Sequence, residues 1–325
     1  PVGLYALSEG GWEEAWSAFR TLEPTDAWTD AGESGLQPML AGEIIGRSFR
    51  VWGRNFWTLA GIAAVLLIPS STLLLLLNLS TLRTVQRTVQ GSRVGVPEVP
   101  SWVSIVGNIT TTLVMALLTG AVVVAVGWFL LGRRPRIGAS YAFAFRKWLS
   151  LVWVVILEFF AILAPLVPGL AILLSAPVTG EFRLAGVLLT LIGGVVAAFL
   201  FVRLLFAPVS VVVEGRRGTR ALERSWRLTR GFGWRIVGVF LLIALIVGGA
   251  FLLAFVLLSP ILVQGGLTEA TFRAFFIAAF VLGAILGVVS NPLFHVATVL
   301  LYLDARVRKE AFTLPDLEGA LPERG

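Results

Sequence analysis

Six apolar runs leave this chain few ways to fold. They lie at about residues 57–79, 104–131, 149–174, 184–212, 236–258 and 275–302. Each is longer than the roughly 18 residues that mark a membrane-crossing helix. Composition agrees, since 57% of the residues are hydrophobic and only 14% charged. Charged residues normally make up about a quarter of a soluble domain. The expected fold class is therefore all-α, a polytopic membrane protein with six transmembrane helices. The third run holds Pro165 and Pro168 and the fourth holds Pro208. Proline removes a helix hydrogen bond, so a kink is predicted near each.

The basic residues orient the bundle. With the N-terminus on the cytoplasmic side, cytoplasmic segments 1–56, 132–148, 213–235 and 303–325 hold 20 Lys and Arg, and the opposite loops hold 5. That bias predicts both termini in the cytoplasm. Residues 1–38 carry seven acids and one base, Arg20, with no apolar core, so they do not read as a signal peptide. The chain divides into an acidic N-terminal segment (1–38), a membrane domain (39–310) and a short cytoplasmic tail (311–325).

One phrase is written twice: RSFRVWGRNFW at 47–57 and RSWRLTRGFGW at 224–234. In the first copy Ile45, Phe49, Trp52 and Phe56 recur at helical spacing, with Arg47, Arg50 and Arg54 on another face. In the second, Leu222, Trp226 and Phe232 oppose Arg220, Arg224 and Arg227, with Arg230 following. This pattern predicts helices lying in the cytoplasmic interface, aromatics toward acyl chains and arginines toward phosphates. A weaker third copy, SYAFAFRKW, fills 140–148. Ser48, Ser140 and Ser225 stand 92 and 85 residues apart. Either the chain is three units, each an in-plane helix followed by a transmembrane hairpin, or positively charged loops have converged on similar wording. Small residues at Gly283 and Gly287, and at Gly193 and Ala197, predict close helix contacts.

Several chemistries are excluded. There is no cysteine and one histidine, His295, so thiolate sites and multi-histidine metal sites cannot form. The two lysines are Lys147 and Lys309, and the other bases are arginines. Arginine grips phosphate with a planar fork, and in a membrane protein the phosphates expected are those of anionic phospholipids, not nucleic acid. No phosphate-cradling glycine loop, paired catalytic carboxylates or nucleophile elbow is present. No cofactor and no enzymatic activity are expected.

Glu158, Arg203 and His295 each fall eight or nine residues from the cytoplasmic end of a crossing, roughly 12–14 Å deep at the rise of an α-helix. Ionisable groups at that depth cost about 2.5–3.5 kcal/mol and usually pair. A Glu158–Arg203 ion pair is predicted, with Asn291 one turn before His295. The layer is either a structural clamp or a proton or solute pathway. Asp304 and Arg308, and Arg306 and Glu310, have the spacing of helix-surface pairs. The same arginines could form a lipid-phosphate or partner site with Arg224, Arg227 and Arg230. In the acidic segment, Trp12, Trp16 and Phe19 form a stripe suited to docking on the basic face or on a larger membrane complex.

Three stretches carry a family resemblance: LAGEIIGRSFRVWGRNFW (40–57), VVVEGRRGTRALERSWRLTRGFGWR (211–235) and YLDARVRKEAFTLPDLE (302–318). They resemble the opening, central and closing motifs of the glycerophosphoryl diester phosphodiesterase membrane-domain family and its uncharacterised bacterial relatives. In the closing motif, Ala311 and Thr313 replace a glycine and an aspartate. Some relatives join this region to a phosphodiesterase barrel, whose two-histidine chemistry a chain with one histidine cannot supply. The resemblance implies a multi-pass protein of the bacterial cytoplasmic (inner) membrane. Together these readings lead to a non-enzymatic accessory or scaffold subunit, or a lipid-interacting module. The alternative is a transporter or permease using Glu158, Arg203 and His295.

Overall fold

The computed structural model describes residues 38–89, 101–175, 180–265 and 269–321. The expected docking stripe of Trp12, Trp16 and Phe19 lies outside these residues. Every regular element among them is helical. A bilayer offers backbone amides no water, so a lone apolar run must satisfy its own hydrogen bonds as a helix. Six spans are long and apolar enough to cross: Phe56–Leu77, Ile105–Leu130, Trp148–Leu174, Glu181–Glu214, Gly233–Pro260 and Arg273–Glu310.

The elements in order are α1 (Ala41–Arg54), α2 (Phe56–Val89), α3 (Ser101–Leu130), α4 (Ile137–Arg146), α5 (Trp148–Leu163), α6 (Val167–Leu174), α7 (Gly180–Leu204), α8 (Ala207–Glu214), α9 (Thr219–Thr229), α10 (Gly233–Gly265), α11 (Glu269–Glu310) and α12 (Leu314–Ala320). The predicted kinks are present. A 3₁₀ turn at Ala164–Leu166 separates α5 from α6, and Leu205–Phe206 separates α7 from α8 at Pro208. The two kinked spans lie close together. A methyl group on Gly193 would sit 2.2 Å from the Pro165 carbonyl oxygen, and one on Gly169 would sit 2.4 Å from the Thr190 nitrogen. The other small pair does not behave as expected. Gly283 faces open space, and Gly287 meets only Asn291 of its own helix.

The short helices α1, α4 and α9 each stand immediately before a long one, as the three-unit reading requires. Ser48, Ser140 and Ser225 are all fully buried. In α1 the buried stripe is Ile44, Ser48 and Val51; in α9 it is Ala221, Ser225 and Leu228. Both follow i, i+4, i+7, one face of an amphipathic helix. The face is turned differently from expectation. Ile45, Phe49 and Trp52 pack against the protein core, not outward toward acyl chains. Burial is available because each short helix lies on another unit's spans, and the order is cyclic. The first unit's α1 packs on α10 and α11 of the third. The second unit's α4 packs on α2 and α3 of the first. The third unit's α9 packs on α5, α7 and α8 of the second.

One polar side chain marks each of these contacts. Trp52 Nε1 donates to the Val289 carbonyl at 3.0 Å, Tyr141 to the Ile62 carbonyl, and Ser225 to the Arg203 carbonyl at 2.7 Å. The last bond explains how the break at Pro208 is tolerated. Ending α7 there exposes backbone groups that must find other partners. Ser225 Oγ donates to Arg203 and accepts from the Phe206 amide at 3.0 Å, serving both sides of the break. Thr229 Oγ1 lies 3.2 Å from the same Arg203 carbonyl. At the centre stands α3, whose Val122, Val123, Val124, Ala125 and Val126 are buried on all sides. The short tail after residue 310 contains a helix of its own, α12, that packs on the bundle. Leu317 and Leu321 are buried in the core, with Leu321 against Gly127.

Candidate functional site

Alternating spans bring α1, α4, α9 and α12 to one end of the bundle, where Glu214, Glu223, Asp304, Glu310 and Glu318 meet arginines. Asp304, 1% exposed, accepts the Met39 amide at 2.7 Å. It also pairs with Arg308 at 3.1 Å and Arg235 at 3.2 Å. Both arginines donate back to the Met39 carbonyl, Arg308 at 2.6 Å. The peptide that leads into α1 is thereby held on both edges by residues of the third unit.

A second cluster lies beside it. Glu214, at the end of α8, receives Arg224 at 2.8 Å and the Tyr302 hydroxyl. Arg306 lies 3.7 Å from it and Arg216 3.3 Å. Glu310 takes the other edge of Arg224 at 2.6 Å and Arg306 at 3.0 Å. Arg224 is thus a two-sided fork between α8 and α11, a geometry that suits guanidinium and not ammonium. Arg133 and Glu318 join α12 to the turn after α3.

The two lysines close helix C-termini. Lys147 Nζ donates to the Val212 carbonyl at 2.8 Å, in the last turn of α8. Burial, with Arg217 adding repulsion, holds its ammonium below the usual lysine range. Lys309 Nζ donates to the Arg227 and Arg230 carbonyls at 2.8 and 2.7 Å, where α9 ends. Cations belong at that end of a helix, where unpaired carbonyls concentrate negative charge. Burial likewise raises the Tyr141 hydroxyl well above the phenol range, so it stays a donor.

The closing motif's two departures have a local explanation. Ala311 is the single non-glycine residue with positive φ, at 51°, among the described residues. It ends α11 in the left-handed conformation that glycine adopts freely. Thr313 stands at the N-cap of α12, a position that aspartate and threonine both fill well. Its amide and hydroxyl donate to Asp316 at 2.9 and 2.7 Å.

The expected lipid-facing arginines divide into two groups. Arg224, Arg306 and Arg308 do not face open phosphate, because carboxylates of the bundle occupy them. Arg47 sits 3.3 Å from Met39 Sδ. Arg50, Arg54, Arg220, Arg227 and Arg230 lie on exposed surface. Arg216, Arg217 and Arg220 surround an open hollow of about 500 Å³ floored by Trp153.

The intramembrane layer is not a joined site. No ion pair links Glu158 to Arg203 among the described residues. Arg203 instead lies over two rings, 4.9 Å from Phe199 and 5.3 Å from Trp226. Its Nη1 is buried without a hydrogen-bond partner. Asn291 donates to its own helix at Gly287, 2.8 Å away, not to His295. Sequence reading missed the anchoring roles of Glu214, Asp304, Arg235 and Tyr302. The signal was present, since Glu214 and Asp304 both sit inside the motifs already singled out.

Residues 181–317 match the family model described as the membrane domain of glycerophosphoryl diester phosphodiesterase. The matched stretch runs from α7 through most of α12 and contains both carboxylate clusters. No curated protein and no solved structure matches the chain.

Proposed function

We propose that this integral membrane protein, similar over residues 181–317 to the membrane domain of glycerophosphoryl diester phosphodiesterase, works without a catalytic centre, as a lipid-interacting accessory or scaffold module. The observation that carries this reading is the division of labour among the arginines. Asp304, Glu214 and Glu310 are neutralised internally by Arg235, Arg308, Arg224 and Arg306. Carboxylates held in that way are structural pieces, not acids or bases poised over a substrate. The arginines left over, among them Arg50, Arg54 and Arg220, are exposed at the same end of the bundle. Trp57 and Trp234, each the second residue of its helix, are 84% and 89% exposed. Tryptophan favours the water–lipid boundary, and basic residues beside it attract anionic head groups. This end of the molecule faces the cytoplasm and the inner leaflet.

The transport alternative draws less support, because Glu158, Arg203 and His295 share no bond that would couple them. Mixed phosphatidylglycerol and phosphatidylcholine nanodiscs test the lipid reading. The full chain is expected to enrich phosphatidylglycerol in its lipid shell. Arg50→Gln, Arg54→Gln and Arg220→Gln together should bring the shell close to the bulk ratio, and salt should do the same to the wild type. A shell of bulk composition around the wild-type protein at low salt would overturn the reading.

A further inference from the structure

We propose that Arg203 marks a specific site for one anionic phospholipid, whose phosphate binds the guanidinium and whose acyl chain fills the adjoining groove. The proposal deepens the lipid reading above. The groove lies between α7 and α10, holds about 900 Å³, and is lined by Ala198, Phe201, Val237 and Leu241, with Trp234 at its mouth. That volume falls near the top of the roughly 300–1,000 Å³ typical of ligand pockets. Arg203 is its one charged lining residue.

Two facts separate this groove from ordinary lipid-covered surface. The first is the orphaned Nη1, a buried donor without a partner. A charged donor is costly to leave unsatisfied, and an anionic oxygen would satisfy it. The Phe199 and Trp226 rings, themselves packed edge to face, lie 4.9 and 5.3 Å from the guanidinium carbon and hold the cation beside the groove. The second fact comes from the repeat. A groove stands at the corresponding boundary between the first and third units, where Trp57 faces Val288 and Val289. It is smaller, about 400 Å³, and has no charged lining residue. The cyclic arrangement therefore supplies an internal control: similar apolar walls, an exposed tryptophan at the start of the span in each, and a cation in one alone. The charge commits the occupant to an anionic amphiphile, and the surrounding bilayer is its source. Arg230, immediately before the lining residue Gly231, adds positive charge at the mouth.

Native mass spectrometry of the full chain, stripped of bulk lipid in detergent and titrated with phosphatidylglycerol, phosphatidylcholine or inorganic phosphate, tests the site. The wild type is expected to hold one phosphatidylglycerol with at least about tenfold preference over phosphatidylcholine, a ratio set by one charge-assisted bond. Inorganic phosphate should not displace it. Arg203→Gln should abolish the preference, and Arg203→Lys should keep part of it. Ala198→Trp should expel the lipid by filling the groove while Arg203 remains. Equal retention of the two lipids by the wild type would overturn the proposal, as would full retention in folded Arg203→Gln or Ala198→Trp. Displacement by free phosphate would assign the site to a soluble anion and overturn the lipid. Should Arg203→Gln fail to fold, the wild-type lipid preference and Ala198→Trp decide the matter. Arg50→Gln with Arg54→Gln serves as a separate arm. Those changes should weaken bulk enrichment and leave the single bound lipid, so failure of this site and failure of the broader reading give different results.

Discussion

Two groups of charged side chains lie within this bundle, and they meet different fates. At the end where the short helices gather, Asp304 and Glu214 are enclosed by arginines, an amide and a phenol. Within the spans, Glu158 and His295 form no ion pair among the described residues, and Arg203, beside the break where α7 ends, meets ring faces of Phe199 and Trp226 and no carboxylate. The difference lies in what surrounds each charge. A long helix in lipid presents a cation or carboxylate to one or two parallel neighbours, which are apolar. A short helix lying across the ends of several spans brings donors from many directions. Arg224 of α9 reaches α8 and α11 together, and the clasp on Met39 joins the start of the first unit to the third. Charge is paired here where the chain crosses over itself.

The largest expected effect tests that contrast directly. Asp304→Asn leaves Arg235 and Arg308 without their common carboxylate and weakens the hold on Met39. Breaking one partner of a buried pair costs about 3–5 kcal/mol. SDS-titrated unfolding should show a loss of that order, together with new protease sensitivity near residues 38–40. A loss below 1 kcal/mol would mean the cluster is solvated and the contrast false.

Ser225→Ala comes next. It removes the hydroxyl shared by the Arg203 carbonyl and the Phe206 amide at the Pro208 break. The Arg203 carbonyl keeps Thr229 Oγ1 at 3.2 Å, but the buried Phe206 amide is left unpaired, which costs about 1–3 kcal/mol. Ser48 and Ser140 bond only to carbonyls one turn back, Ile44 and Arg136. Those carbonyls keep helix partners, so Ser48→Ala and Ser140→Ala should cost less in the same assay. Equal losses at all three serines would remove the special role of the proline break.

The different legibility of the two groups has physical causes. The spans, the kinks at Pro165, Pro168 and Pro208, and the short helices before each hairpin are local in sequence. Hydropathy, a missing amide and an i, i+4, i+7 stripe encode them. Which way an amphipathic face turns is not local. Trp52 reads as lipid-facing until Val289, 237 residues away, supplies the carbonyl that it bonds. The pairs Arg306–Glu310 and Asp304–Arg308 were visible as spacings and exist. Their burial was not visible, because it depends on Met39, Glu214 and Arg235 arriving from elsewhere. The predicted Glu158–Arg203 pair failed for a related reason. Depth along a span says nothing about rotation around it, and rotation gave Arg203 to Phe199 and Trp226.

Ala311→Gly should raise stability. An alanine held at φ 51° carries strain that glycine lacks, about 1 kcal/mol. The same unfolding assay should show a gain, with Arg224 and Glu310 still paired across the turn. A loss would show that the methyl group makes contacts worth more than the backbone strain. Glu158→Gln sets the lower bound of the comparison. A side chain with no bonding network to lose should not reduce stability by more than about 0.5 kcal/mol. A loss as large as that of Asp304→Asn would place Glu158 in a bonded cluster and erase the distinction.

The smallest effect belongs to Asp316, which lies fully in solvent. Bonds from the Thr313 hydroxyl and amide hold its carboxyl below the usual range. A folded-state value below the unfolded one means that the unfolded chain binds the proton more readily. The bonds therefore stabilise α12 fully at pH above the ordinary carboxylate value, and the contribution disappears as pH falls through the depressed one. Methyl resonances of Leu317 and Leu321, both buried under α12, give a readout for this step. They should hold steady from neutral pH to the ordinary carboxylate range and begin to shift below it. Thr313→Val removes one of the two donors and should move that midpoint upward, toward the ordinary value. Asp316→Asn should abolish the acid step, since no carboxyl remains to titrate there. A step that survives in Asp316→Asn would show that acid acts on α12 through some group other than its cap, and the cap would lose its place in the comparison.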